Sequence, residues 1–135
     1  MKNLLAICFA LIISVVFYSC DKNKDDNPTT DYTATITILE PEEGMVMNDG
    51  EELHVEVDFE NDAVIHNLEI LVLNETSGDT IMFFSEHVHA DNLYQFHEHE
   101  HVHVMENSNC KVTALTWDED KSQAITKSVH FTVNL

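Results

Sequence analysis

The sequence predicts an all-β fold, a seven-stranded antiparallel sandwich of two sheets. Three observations point there. From Tyr32 onward apolar residues recur with period two rather than 3.6. Turn-forming clusters punctuate the chain at short, regular intervals. No helical pattern lasts beyond a turn or two, so alternating strand–helix units are excluded.

The elements follow in order. A first strand over 33–39 runs into the turn Pro41–Gly44. After Asn48–Gly50, the stretch ELHVEVDF (52–59) alternates cleanly. Leu53, Val55, Val57 and Phe59 take one face, and Glu52, His54, Glu56 and Asp58 the other. A third strand, 66–73, groups Leu68, Ile70 and Val72; His66 shares their parity and reads as a histidine at the edge of the core. Ser77–Asp79 turns the chain into a strand over 79–88, and Ala90–Asn92 separates that from a strand over 93–104. Asn107–Asn109 precedes a strand over 111–117, and Asp118–Lys121 precedes the last, 124–134. Ile125, Val129, Phe131, Val133 and Leu135 share a face there, with Lys127 the exception. The expected core is Leu53, Val55, Val57, Leu68, Ile70, Val72, Phe96, Val112, Ala114, Val129, Phe131 and Val133.

Residues 1–19 read as a signal segment: Lys2, then an apolar run from Leu4 to Tyr18 broken only by Ser14. At 15 residues the run is short for a membrane span, which needs about 20. It ends in Phe17-Tyr18-Ser19-Cys20, which resembles a bacterial lipobox, although Phe17 departs from the usual Leu. The resemblance implies a lipid on Cys20 that holds the protein to a membrane. Residues 20–31 are polar and read as a flexible acidic tether. Their Lys24-Asp25-Asp26 is similar to the export signal of some Gram-negative surface lipoproteins, which implies the outer membrane, facing outward, with a periplasm-facing position left open. Residues 32–135 form the one domain.

With Cys8 in the signal and Cys20 lipidated, Cys110 has no intramolecular disulfide partner. It shares the parity of Val112 and Ala114 and reads as buried and inert. The chain carries 25 acidic residues against six lysines and no arginine, a net charge of −19. That field repels nucleic acid and attracts cations.

ITILEPEEGMVMNDGEELHVEVDF is similar to the opening of bacterial Ig-like domains: a short strand ending in Pro, a Gly turn, then an alternating strand. HNLEILVLNETSGDTI resembles their third strand and hairpin, LYQFHEH their aromatic-x-aromatic strand, and CKVTALTWDEDKSQAITKSVHFTV their closing pair. The usual turn glycine near Ser122 is absent. The resemblance implies an Ig-like or fibronectin-like sandwich on a cell-surface protein, used for adhesion, spacing or ligand binding, and implies no catalysis.

The histidines carry the remaining signal. His97, His99, His101 and His103 fall at two-residue spacing and share one face of a strand. Tyr94, Phe96, Val102 and Val104 share the other, interrupted by Glu98 and Glu100. Two carboxylates aimed into a core would cost several kcal/mol, so the strand is expected to bulge, end or leave the sandwich edge near 98–100. Neighbours at i and i+2 lie about 6.8 Å apart, and zinc–imidazole bonds are about 2.0–2.1 Å. One extended strand therefore brings pairs, not all four, to one ion. SEHVHAD adds His87 and His89, and whether both sets share a face depends on the register of the 79–104 hairpin.

Three readings stay open: physiological binding of a transition metal of the zinc, copper or nickel class through His87, His89, His97, His99, His101 and His103; incidental, tag-like richness; and a pH-responsive face. Metal affinity would fall in acid, below about pH 6.5. His54 and His130 occupy solvent faces and read as unrelated. Met45, Met47 and Met105 could serve copper(I) but read as core or rim. Asp118, Glu119 and Asp120 lack the longer pattern of a calcium site and read as a solvated turn. No Ser or Cys nucleophile has an evident partner, and three glycines leave no phosphate-binding loop, so the chain does not read as an enzyme. The second functional class is an adhesion or spacer module that binds a protein or glycan. It is motivated by Leu115 and Trp117, whose parity opposes Val112 and Ala114.

Overall fold

The computed structural model describes residues 32–135. The signal, the lipidation site at Cys20 and the tether lie outside the described residues. Among the described residues there are six strands, β1 (Thr35–Glu40), β2 (Met45–Asn48), β3 (Glu52–Asn74), β4 (Thr80–His101), β5 (Ser108–Trp117) and β6 (Ile125–Asn134), and a 3-10 turn at Lys121–Gln123. The expected antiparallel sandwich is present, with one parallel contact where β2 joins β6.

The strand count differs from the expected seven for a definite reason. The segments 52–59 and 66–73 are one strand, β3, and 79–88 and 93–104 are one strand, β4, which ends at His101. Each crosses from one layer to the other. The first half of β3 pairs with β1 and the second half of β4, as in Ile36↔Phe59 and Val57↔Phe96. The second half of β3 pairs with the first half of β4 and with β5, as in Ile70↔Phe84 and Ile70↔Ala114. β5 then pairs with β6, and β6 with β2. Ala90–Asn92, expected to separate two strands, only bends one. Asn92 takes φ 65, a left-handed conformation that Asn tolerates. The two histidine-bearing segments therefore never form a hairpin with each other; both pair with β3. The short β2 escaped notice because four residues show too little alternation, with only Met47 buried.

Between the layers, all twelve expected core residues are buried, Leu53, Val55, Val57, Leu68, Ile70, Val72, Val112, Ala114 and Val133 completely. Phe59, Ile65 and Val102 join them at full burial. Each such side chain contributes roughly 1.5–3 kcal/mol. Asn74 is buried too, and its amide donates to the Ser108 hydroxyl at 3.1 Å, so its polarity is matched inside the core.

Of the outcomes expected near Glu98 and Glu100, the bulge does not occur, and the strand ends just after them, at His101. Pairing with β3 is unbroken from Leu93 to His101. Here β4 is the outer strand of its layer, and both carboxylates, though on the inward parity, are exposed. The chain dives back under the edge just after, burying Val102 and Val104. Gly50 N–H donates to the Val102 carbonyl and Val102 N–H to that of Glu51.

Candidate functional site

Seven of the nine histidines lie on β3 and β4. They form two groups, because the bend near Asn92 and the paired irregularity in β3 split the ribbon.

The first group covers the outer face of the layer that holds β1. Glu52, His54 and Glu56 of β3 face three histidines of β4 there: Glu52↔His101, His54↔His99 and Glu56↔His97. The ring of His54 lies 5.9 Å from that of His97 and 6.0 Å from that of His99. Carboxylates meet the ring tips: Nε2 of His54 is 3.0 Å from Glu52, Nε2 of His97 is 3.4 Å from Glu56, and Nε2 of His101 is 3.7 Å from Glu52. His54, read as unrelated, is thus at the centre of this group. Its own strand shows which face it takes, but not that His97 and His99 flank it. His103 lies beyond the end of β4, exposed, with Nδ1 3.5 Å from Asp49.

The second group sits where the ribbon changes layers. Ile65 pairs with Ala90 and Asn67 with His87, so two residues of β4, Val88 and His89, oppose the single residue His66. Such a bulge re-aims side chains. It brings three rings together: His87 and His89 at 4.8 Å between centroids, His66 and His89 at 5.2 Å, His66 and His87 at 6.1 Å. Asp118, just past the end of β5, bonds His66 Nδ1 through Oδ1. Asn67 bridges the group: its amide nitrogen meets the carbonyls of Trp117 (3.2 Å) and Asp118, and its oxygen meets His87 Nδ1 at 2.8 Å. His66, half-buried at the edge of the core, is therefore also a member of a polar cluster, and Asp118, read as part of a solvated turn, is its partner. Sequence held one clue, the His66-Asn67 pair at a strand start, but the bulge that matters is set by two strands at once.

His87 and His89 thus stand apart from His97, His99 and His101. Eight residues from His89 to His97 amount to roughly 26 Å of extended strand, before the bend is counted. Among the described residues, no group of three or more His, Cys, Asp or Glu is placed so that it could hold a metal ion.

The remaining candidates separate as well. Met45 is half-buried, Met47 is buried and Met105 is exposed. Cys110 is wholly buried, and burial, helped by the Glu75 carboxylate, pushes its thiol up. Leu115 and Trp117 are half-buried on the outer face of the β5 layer. Trp117 is partly covered by Lys121, whose ammonium lies 5.0 Å from the ring centroid and also bonds Glu69.

No protein-family model and no curated protein matches the chain. In shape it is similar to several solved structures. One is the fibronectin(III)-like modules of CbhA from Clostridium thermocellum: 16% identity over 74% of this chain and 96% of that one, TM-score 0.44. Another is a CARDB domain from Pyrococcus furiosus in complex with di-metal ions: 10% identity over 79% of this chain and 99% of that one, TM-score 0.46. A third is a β-glucosidase from Listeria innocua in complex with glucose: 15% identity over 84% of this chain but 20% of that one, TM-score 0.46.

Proposed function

We propose that this protein is an outer-membrane surface lipoprotein, held by lipid at Cys20, whose sandwich domain binds divalent transition metal such as zinc or copper. The observation that carries the reading is the collection of His54, His97, His99 and His101 into one cluster and of His66, His87 and His89 into another along one β-ribbon. Imidazole is the commonest transition-metal ligand, and a net charge of −19 draws cations from a distance. The test is competition of the untagged full-length chain against a chelator. Submicromolar binding that disappears when His66, His87, His89, His97, His99 and His101 are all replaced by Ala supports the reading. Micromolar or weaker binding sinks it.

A second reading is an adhesion or spacer module. It is favoured by the outer face of the β5 layer, where Phe83 is 60% exposed and registers with Leu71, and where Leu115 and Trp117 are only half-buried. Apolar groups in that position suit a protein or glycan partner. Loss of the metal reading leaves this one standing, and retained ligand capture after replacing Trp117 and Phe83 would count against it.

A further inference from the structure

On the face of His54, His97 and His101 the occupied ring nitrogen varies: His54 and His97 meet carboxylates through Nε2, while His101 bonds the Gly50 carbonyl through Nδ1. In the corner group it is the nitrogen nearer the backbone. A carboxylate can only accept, so Nδ1 of His66 donates to Asp118. The amide of Asn67 is oriented by its neighbours: its NH2 donates to the Trp117 and Asp118 carbonyls, which places its oxygen, an acceptor, against His87. Nδ1 of His87 therefore donates as well. A neutral imidazole has one N–H, so in both rings Nε2 is left as a bare lone pair. Metal-ligating histidines are held this way, with the other ring N–H tied to a carboxylate or carbonyl.

The spacing agrees. Three imidazoles on one tetrahedral ion at about 2.0–2.1 Å would have ring centres roughly 5 Å apart. The corner rings stand at 4.8, 5.2 and 6.1 Å. His87 and His89 are exposed, so an ion reaches them from solvent. On the other face the ring tips of His54 and His97 already meet Glu52 and Glu56, and an ion there would first displace those contacts.

Resting on the metal-binding reading, we infer that His66, His87 and His89 form a three-imidazole site for one zinc-class ion. Asp118 and Asn67 act as positioning residues, and the fourth coordination place is open to water or a small anionic ligand. The ring of His89, carried on the bulge, turns to complete the set when the ion arrives. The His54, His97, His99 and His101 face is then a weaker, secondary surface.

The experiment is zinc titration of the untagged full-length chain against a competing chelating dye, for wild type, His66→Ala, His89→Ala, Asp118→Ala and the double variant His97→Ala/His99→Ala. Thermal melts without metal show whether each variant folds. The expected result is one tight equivalent. It weakens at least 100-fold in His66→Ala and His89→Ala and roughly 10–100-fold in Asp118→Ala, whereas His97→Ala/His99→Ala loses only the weaker, secondary binding. Long-range nitrogen–proton spectra of the wild type supply a readout that folding alone does not set. His66 and His87 should carry their proton on Nδ1 without metal, and zinc should shift their Nε2 resonances first. A tight equivalent that survives His89→Ala but vanishes in His97→Ala/His99→Ala overturns this site while sparing metal binding. An Nε2-protonated His66, or zinc shifts that begin at His54, His97 and His99, overturns it too. Binding no tighter than micromolar in every chain removes both the site and the metal reading.

Discussion

Asn67 shows how much one side chain decides. It pairs in β3 with both His87 and Trp117, and its amide ties the two neighbouring strands together. Its place two residues from Ile65 was visible in the sequence; its bonds were not, since both partners come from other strands. Cys110 is the opposite case, legible from parity alone. It is completely buried at the start of β5, and burial first, then the Glu75 carboxylate, raises its thiol above the ordinary value. The thiolate is the reactive form, so the native protein at pH 8 should resist iodoacetamide and react rapidly only in denaturant. Equal rates in both conditions would show the thiol is accessible.

At the scale of elements, β4 is the informative strand. It is the outer strand in both layers, so one backbone edge is open along its length. Glu98 and Glu100 occupy inward-parity positions at its exposed end. Charges so placed oppose a second chain that would pair there and bury them. The variant Glu98→Val/Glu100→Val should therefore associate at concentrations where the parent does not, seen as faster sedimentation. Unchanged sedimentation would mean the edge is protected by something else. The fusion of four expected strands into two was not legible, because Asn61-Asp62 and Ala90–Asn92 contain residues that serve a reversal or a bend equally well. Which one forms depends on whether the following segment has a partner straight ahead. Here β5 and the returning chain supply one.

For the whole molecule, acidity sets the pH response. Glu51 is held below its ordinary 4.5 by hydrogen bonds from Asn48, Glu75 below the same value by Lys111, and Asp120 below 3.8 by Ser122. Each lowered group binds fewer protons folded than unfolded as the pH crosses this range, so stability rises with pH there. The stabilisation is complete above the unfolded values and is lost as pH falls through the lower folded ones. These three groups should lower the melting temperature as pH falls below about 4.5; all three are exposed, so the contribution from each is small. A melting temperature that rose between pH 5 and 3 would contradict the sign. Anchoring is a property of the full chain as well. Replacing Cys20 by Ala should release the protein from membranes, and continued retention of that variant in the membrane fraction would remove the lipoprotein reading.

Period-two alternation settled which residues enter the core, because the pleat sends successive side chains to opposite faces whatever a strand pairs with. Leu53, Val55, Val57, Leu68, Ile70 and Val72 needed nothing more. Histidine richness and its two-residue spacing were equally plain. Which histidines meet was decided by tertiary structure alone. Register places His54 between His97 and His99, and a bulge at Val88–His89 turns His87 and His89 toward His66 and Asp118. Both depend on hydrogen bonds between segments far apart in the chain, and no periodicity within one segment records them.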